Sequence, residues 1–250
     1  MLTAPPLSKV PEATLIFWII KILATTLGET AGDAVSMSME LGYLVSTGIF
    51  AVLFIIAVIA QIKTQRFHPT LYWLTIIATT TVGTTIADFA DRSLGIGYPG
   101  GSALLFTLLM ASLFIWHRME GSIAIDTVDT PRVEIFYWVT IMFSQTLGTA
   151  LGDWTADSLE FGYLGSAIIF GGLLAVIAIA YFRTTISRTI LFWAAFILTR
   201  PLGAVVGDWL DKPLAAGGLA LSRYTASLAL LGCIAALIFF VQHRPARSAH

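Results

Sequence analysis

Apolar residues along this chain gather into eight long stretches, which are separated by short polar segments. Each stretch is close to the roughly 20 residues that a helix needs to cross the hydrocarbon core of a bilayer. The pattern predicts helices over residues 15–36, 43–62, 71–90, 100–116, 135–156, 163–182, 190–210 and 219–241. The predicted fold class is therefore an all-α integral membrane protein with eight transmembrane helices.

Every second stretch carries the same pattern of tryptophan, glycine and aspartate. A tryptophan precedes the aspartate by fifteen residues, a glycine precedes it by five, and another glycine follows it by nine. The aspartates are Asp33, Asp88, Asp153 and Asp208; the tryptophans are Trp18, Trp73, Trp138 and Trp193; the later glycines are Gly42, Gly97, Gly162 and Gly217. Because glycine suits the turn after a helix, the pattern indicates a two-helix unit repeated four times.

The spacing of the aspartates divides the chain into two halves. Asp33 lies 120 residues before Asp153, and Asp88 lies 120 residues before Asp208. We expect a first half over residues 1–120 with repeats 1 and 2, and a second half over residues 121–250 with repeats 3 and 4. Since each unit has an even number of helices, all four share one orientation, unlike inverted repeats.

A polar stripe precedes each aspartate. Residues four apart lie on one face of a helix, and eleven of the twelve stripe positions are polar or charged. The stripes are Asp33, Glu29, Thr25; Asp88, Thr84, Thr80; Asp153, Thr149, Gln145; and Asp208, Ala204, Arg200. Lys21 extends the first stripe by one turn. Since charged groups facing lipid are expensive, the stripes are predicted to face one another or a water-filled crevice.

Small residues beside the stripes indicate close helix packing. Pairs of glycines four apart let helix backbones approach within a membrane. The residues predicted to serve packing are Gly28, Gly32, Gly83, Gly148, Gly152, Gly203 and Gly207. The tryptophans lie roughly 22 Å from the aspartates along a helix, so they are interpreted as anchors at the membrane surface.

Composition agrees with a membrane protein. Hydrophobic residues make up 57% of the chain and charged residues 12%, which is too little polar surface for a water-facing globule. The lipid bilayer is thus the predicted partner, and the net charge of −1 argues against nucleic acid. A lone cysteine, Cys233, excludes a disulfide within the chain. The first apolar stretch has no convincing cleavage site, so we expect it to be retained.

The basic residues indicate an orientation. Nine of them lie in the terminal and longer connecting segments, whereas only Arg92, Lys212 and Arg223 lie on the opposite side. The positive-inside rule therefore predicts that both termini are cytoplasmic.

The available side chains favour ion binding over catalysis. Carboxylate and hydroxyl oxygens are hard ligands that suit Mg²⁺, Ca²⁺, Mn²⁺, protons or monovalent cations. No phosphate-binding loop, nucleophile motif or zinc-protease motif occurs in the sequence. We expect neither an enzyme nor a bound cofactor.

The fourfold motif of tryptophan, glycine and aspartate resembles bacterial membrane proteins built from a repeat of unknown function, often described as uncharacterised membrane-anchored proteins. The resemblance covers nearly the whole chain and implies no particular activity. The acidic-glycine motif is also similar in style, though not in sequence, to the signatures of cation/proton exchangers. Three positions differ from the corresponding residues of the other repeats: Ala87, Ala204 and Pro201. These differences argue against four equivalent ligands.

Three functions remain open at this stage. The leading hypothesis is a secondary transporter of a small cation, either a hard divalent metal or a proton-coupled ion. Its candidate ion-binding residues are Asp33, Asp88, Asp153, Asp208, Glu29, Thr84, Thr149, Gln145 and Arg200, with the four aspartates as candidate metal ligands.

The alternative is a non-transporting membrane scaffold or partner subunit. Its aspartates form structural ion pairs with Arg92, Lys212, Arg223 or Arg200. A third hypothesis is transport of a small organic cation beside Trp154 and Trp209. Arg200 and Lys21 are candidates either for internal counter-ions or for gates that a cation or proton displaces.

Overall fold

Eight long helices follow one another in the computed structural model, which describes residues 8–247. They are α1 (Leu15–Asp33), α2 (Gly42–Lys63), α3 (Pro69–Asp88), α4 (Tyr98–Glu120), α5 (Pro131–Asp153), α6 (Gly162–Arg183), α7 (Arg188–Asp211) and α8 (Arg223–Phe240). The predicted number of long helices and the four repeats are confirmed for this part of the chain.

The short connections form as the glycine spacing predicts. Gly42, Gly97, Gly162 and Gly217 all have positive φ, between 66° and 83°. A side chain is strained in this left-handed conformation, whereas glycine is not. In the first three repeats the helix widens into a π-helical turn directly after the aspartate, at Ala34–Ser38, Phe89–Ser93 and Trp154–Ser158. Such turns are rare and frequently mark functional sites.

The first helix of each repeat belongs to a central ring. Helices α1, α3, α5 and α7 contact one another in that order, and α7 closes the ring on α1. We call these the inner helices and the others the outer helices. Each outer helix packs mainly on the inner helix of the next repeat: α2 on α3, α4 on α5, α6 on α7, and α8 on α1. The fourth repeat therefore closes the ring against the first.

The inner helices run in the same direction around the ring. Gly28 of α1 lies against Thr80 of α3, and one turn later Gly32 lies against Thr84. This increasing register on both helices requires a parallel pair. The two predicted halves contact each other at two interfaces, where α3 and α4 meet α5 and where α7 and α8 meet α1.

Apolar surface covers the outside of the ring. Six helices (α1, α2, α4, α6, α7 and α8) are long and apolar enough to span a membrane. Only 6% of the α2 span is buried within the protein, compared with 67% of the α7 span. The less apolar α3 carries seven threonines, several of which donate to carbonyl oxygens one turn earlier. Such bonds satisfy hydroxyl groups inside the bundle.

Aromatic side chains fill the ring at the end that carries the chain termini, which we call the aromatic end. The opposite end, where the four aspartates lie, is the acidic end. The interpretation of the tryptophans as surface anchors is wrong for Trp73, Trp138 and Trp193, which are at most 3% exposed. They stack with Tyr72 and Tyr137 in the core. These rings therefore point into the bundle.

The terminal segments cover the aromatic end. Pro11 and Pro245 form an isolated antiparallel bridge, and the amide of Ala246 donates to the carbonyl of Val10. The buried ammonium of Lys9 donates to Glu134 at the start of α5 and to the last carbonyls of α2. Both ends of the described chain are thus attached to the ring.

Candidate functional site

Five carboxyl groups meet inside the acidic end. We call Glu29, Asp33, Asp88, Asp153 and Asp208 the acidic cluster. All five are at most 3% exposed. The fourfold sequence repeat explains why these groups cluster. The aspartates hold the same position on four parallel helices, and Glu29 lies one turn below Asp33.

The glycines beside the stripes permit this convergence. A Cβ added at Gly203 would lie 2.1 Å from Thr25 Oγ1, and one at Gly148 would lie 2.2 Å from Arg200 Cγ. The same close approach to a stripe residue of the next inner helix occurs at Gly28, Gly32, Gly83, Gly152 and Gly207. The contacts at Gly28, Gly148, Gly203 and Gly207 are shorter than 3.0 Å, so a side chain there would displace its neighbour, and the other three are tight at 3.0–3.1 Å. Each glycine of one repeat therefore accommodates the stripe of the next.

Two cations bridge the aspartates in pairs. Arg92 Nε lies 2.9 Å from Asp88 Oδ1, and its Nη2 lies 3.6 Å from Asp153 Oδ2. Lys212 Nζ lies 2.7 Å from Asp33 Oδ2 and 2.9 Å from Asp208 Oδ1, although the second contact lacks hydrogen-bond geometry. Each cation follows its own aspartate by four residues and links it to the next inner helix.

A third cation and another aspartate lie at the rim of the cluster. Arg223 at the start of α8 pairs with Asp211 at 2.6 Å and lies 3.6 Å from Asp33. Burial by itself lowers the pKa of Lys212. The nearby carboxylates of Asp208 and Asp33 outweigh burial and raise the pKa above its usual value. Lys212 therefore remains a cation at neutral pH.

The guanidinium of Arg200 closes the bottom of the cluster. Its Nη2 donates to Glu29 Oε2 at 2.9 Å, to Thr84 Oγ1 at 2.6 Å and to Thr149 Oγ1. One nitrogen from α7 thus contacts all three other inner helices, which places it on the axis of the ring. Ala204, the apolar stripe position, lies one turn above Arg200 and leaves room for this side chain.

The carboxylates are close enough to share an ion. Two groups of three have ligand oxygens within 4.8 Å of one another: Glu29 with Asp33 and Asp88, and Glu29 with Asp153 and Asp208. Metal–oxygen distances are about 2.0–2.6 Å, so oxygens at this separation can bind the same cation. Glu29 belongs to both groups and is the centre of the cluster.

The remaining candidate, Gln145, lies apart from the carboxylates. Its amide is fully buried one turn below Thr149 and makes no hydrogen bond within the described chain. Thr25 and Thr80 lie at the same level, and Thr25 donates to the carbonyl of Thr199 on α7. The structure therefore separates each stripe into an upper acidic part and a lower part without carboxylates.

Sequence reasoning named Arg92 and Lys212 as pairing partners but did not predict that each would bridge two helices. It placed Asp211 near a helix end as a pairing residue but did not predict that Asp211 forms a third group with Asp33 and Asp208. The available signal was the spacing of four between an aspartate and a basic residue. This spacing occurs in repeats 2 and 4 and is absent from repeats 1 and 3.

Comparison with known proteins agrees with this architecture. No curated protein and no solved structure matched the chain. A family model described as a "Repeat of Unknown Function (DUF347)" matches residues 16–67, 71–122, 136–187 and 191–248. Each match contains one inner and one outer helix, and together the four span most of the chain. The chain belongs to the DUF347 family and contains four copies of its repeat.

Proposed function

We propose that this protein is a multi-pass membrane protein that transports a small cation, either a hard divalent metal or a proton-coupled ion, through the acidic cluster. In this proposal it lies in a bacterial inner membrane with both termini in the cytoplasm. Its partners are the bilayer and the cation, and it has no enzymatic activity and no nucleic-acid partner. The six long apolar helices and the positive-inside distribution of basic residues support this placement.

The observation that carries the proposal is an excess of buried carboxylates. The acidic cluster has five carboxyl groups, and Arg92, Arg200 and Lys212 are the three cations in contact with it besides Arg223, which pairs with Asp211. Two negative charges are left over. Because an uncompensated buried charge is costly, the cluster favours the uptake of one divalent cation or two protons.

A free ligand atom also supports ion binding. Asp88 Oδ2 is buried and makes no hydrogen bond within the described part of the chain. Arg92, on the rim above it, has a side chain that is 33% exposed. A cation arriving from the acidic end would meet the bridging cations first, and displacing one of them would open a group of three carboxylates.

Flux measurements in proteoliposomes test the proposal. We expect wild-type protein to carry protons or at least one ion from a panel of divalent and monovalent cations. Asp153→Asn should lower that flux roughly tenfold or more. The reason is that the ion loses its interaction with one carboxylate, and a loss of about 1.4 kcal/mol corresponds to a factor of ten. The matched control is Asp157→Asn, one turn along and exposed, which should leave the flux unchanged. Equal flux through both variants, or no flux of any ion through wild type, would refute transport.

The ion pairs favour a second candidate, a non-transporting scaffold or partner subunit. Arg92 and Lys212 each tie two inner helices together, which is what structural pairing requires. In that case the Asp153→Asn variant should fold in lower yield, and neither metal nor proton binding should accompany folding. Calorimetric titration of wild type with Mg²⁺, Ca²⁺ and Mn²⁺, combined with proton-uptake measurement, distinguishes the two candidates.

A further inference from the structure

The lower part of the stripes contains polar atoms that have no hydrogen-bond partner in the described chain. They are Lys21 Nζ, Thr80 Oγ1, Gln145 Nε2 and Oε1, and Arg200 Nε and Nη1. All four residues are completely buried. Unpartnered buried polar groups are uncommon because each loses its hydration, and six such atoms in one region call for a shared explanation.

The residues that carry these atoms lie at two adjacent levels of the inner helices. Thr80, Gln145 and Arg200 hold the same repeat position, eight residues before their aspartates. The Arg200 side chain starts at this level and its Nη2 reaches Thr84 and Thr149 one turn higher. Its Nε and Nη1 belong to the same buried guanidinium and have no partner in the described chain.

Lys21 approaches the same segment from below. Its Nζ lies 4.2 Å from the centre of the Phe196 ring, and Phe196 lies one turn before Arg200 on α7. Lys21 is within electrostatic range of Arg200 and forms no salt bridge with a described carboxylate. The contact with the aromatic face partly compensates a buried ammonium but supplies no hydrogen-bond acceptor.

The chemistry of this segment favours an anion. Ammonium and guanidinium groups carry only hydrogen-bond donors, and the Gln145 amide adds two more. When Lys21 is protonated, it adds a second positive charge to that of Arg200, and Glu29 is the one carboxylate of the described chain bound to either of them. A single positive charge is left over. Water would satisfy the donors but would leave this charge buried without a counter-ion.

We propose that one small inorganic anion of the chloride class binds on the axis between the Lys21 ammonium and the Arg200 guanidinium. The Gln145 amide and the Thr80 hydroxyl are its further donors. The surplus charge specifies a monovalent anion. The close approach of α5 to α7 at Gly148 and Arg200 favours a small anion over a polyatomic one. The site shares Arg200 with the acidic cluster, but its test measures anion binding and does not depend on cation transport.

Equilibrium dialysis tests this site with radiolabelled chloride and the purified full-length protein in a gluconate buffer. Wild type should bind chloride saturably, with about one ion per chain. Lys21→Met removes the charge and keeps the length of the side chain, so its affinity should fall roughly tenfold or more. Lys63→Met, the same substitution at an exposed position, should bind like wild type. Absence of saturable binding in wild type would mean that water alone fills the site and would overturn the proposal, as would wild-type affinity in Lys21→Met.

Anomalous diffraction locates the ion without any substitution, in case Lys21→Met does not fold. Crystals of wild-type protein grown in bromide should show an anomalous peak between Lys21 and Arg200. A bromide peak only elsewhere, or none in the interior of the ring, contradicts the proposal.

Discussion

The two ends of the inner ring are built from the same four helices and are held together by different forces. At the acidic end, carboxylates from every inner helix meet Arg92, Lys212 and Arg200, and charge compensation decides the packing. At the aromatic end, the rings of Trp73 and its neighbours pack on one another. The buried Lys9–Glu134 ion pair at this end joins the covering terminal segment to the start of α5. A charge can exchange its partner for an ion, whereas packed rings have no such alternative.

The ends also differ in their access to solvent. The Arg92 side chain is 33% exposed and that of Lys212 is 13% exposed, although both touch fully buried aspartates. At the aromatic end, Trp73 is 0% exposed, and the terminal segments pair over the ring. The acidic end is therefore more accessible to solvent than the aromatic end.

The largest effect should come from removing the central cation. Arg200→Met leaves Glu29 buried without its partner, which typically costs about 3–5 kcal/mol. Unfolding in detergent, followed by intrinsic fluorescence, measures the loss. Adding Glu29→Gln should recover a large part of it, because the stranded charge is then gone. No recovery in the double variant would show that Arg200 acts through packing and not through charge.

A smaller loss is expected where the helices approach most closely. Gly203→Ala forces a methyl group into Thr25, and overpacking of this kind costs about 1–3 kcal/mol. Gly171→Ala on α6 is the matched control, since nothing lies within 4 Å of its added Cβ. Thermal unfolding of both variants measures the difference. Equal midpoints would mean that the inner ring is looser than the glycine contacts indicate.

At the aromatic end, one hydrogen bond can be removed without changing the packing. The hydroxyls of Tyr72 and Tyr137 lie 2.6 Å apart in the core. Tyr72→Phe should cost about 1 kcal/mol, the usual net value of a hydrogen bond. The loss should be the same at low and high salt because no charge is involved. A salt-dependent loss would contradict the division between the two ends.

The smallest effect on stability is expected at an exposed salt bridge that has nearly the same length as the Arg200–Glu29 pair. Arg132 Nε lies 2.8 Å from Glu120 Oε1, almost the distance of the Arg200–Glu29 pair, but the Arg132 side chain is 60% exposed. Arg132→Met should change stability by about 0–1 kcal/mol. The comparison with Arg200→Met isolates burial, since both variants break an arginine–carboxylate pair. Similar losses in the two variants would refute the argument from burial.

The sequence alone was sufficient for much of the architecture. Apolar periodicity predicted eight helices, and the intervals around Asp33, Asp88, Asp153 and Asp208 predicted the four repeats. The turn glycines were predicted because a left-handed backbone conformation is a local requirement. Each of these features depends on neighbouring residues or on regular spacing, so no knowledge of distant contacts is needed.

The tertiary structure decided what the repeats do to one another. The pattern did not show that each outer helix packs on the next repeat, that Arg92 and Lys212 bridge two helices, or that three of the four tryptophans turn inward. A hydrophobic stretch shows the same composition whether it faces lipid or protein. Only the closed ring determines which face is buried and which charges meet on the axis.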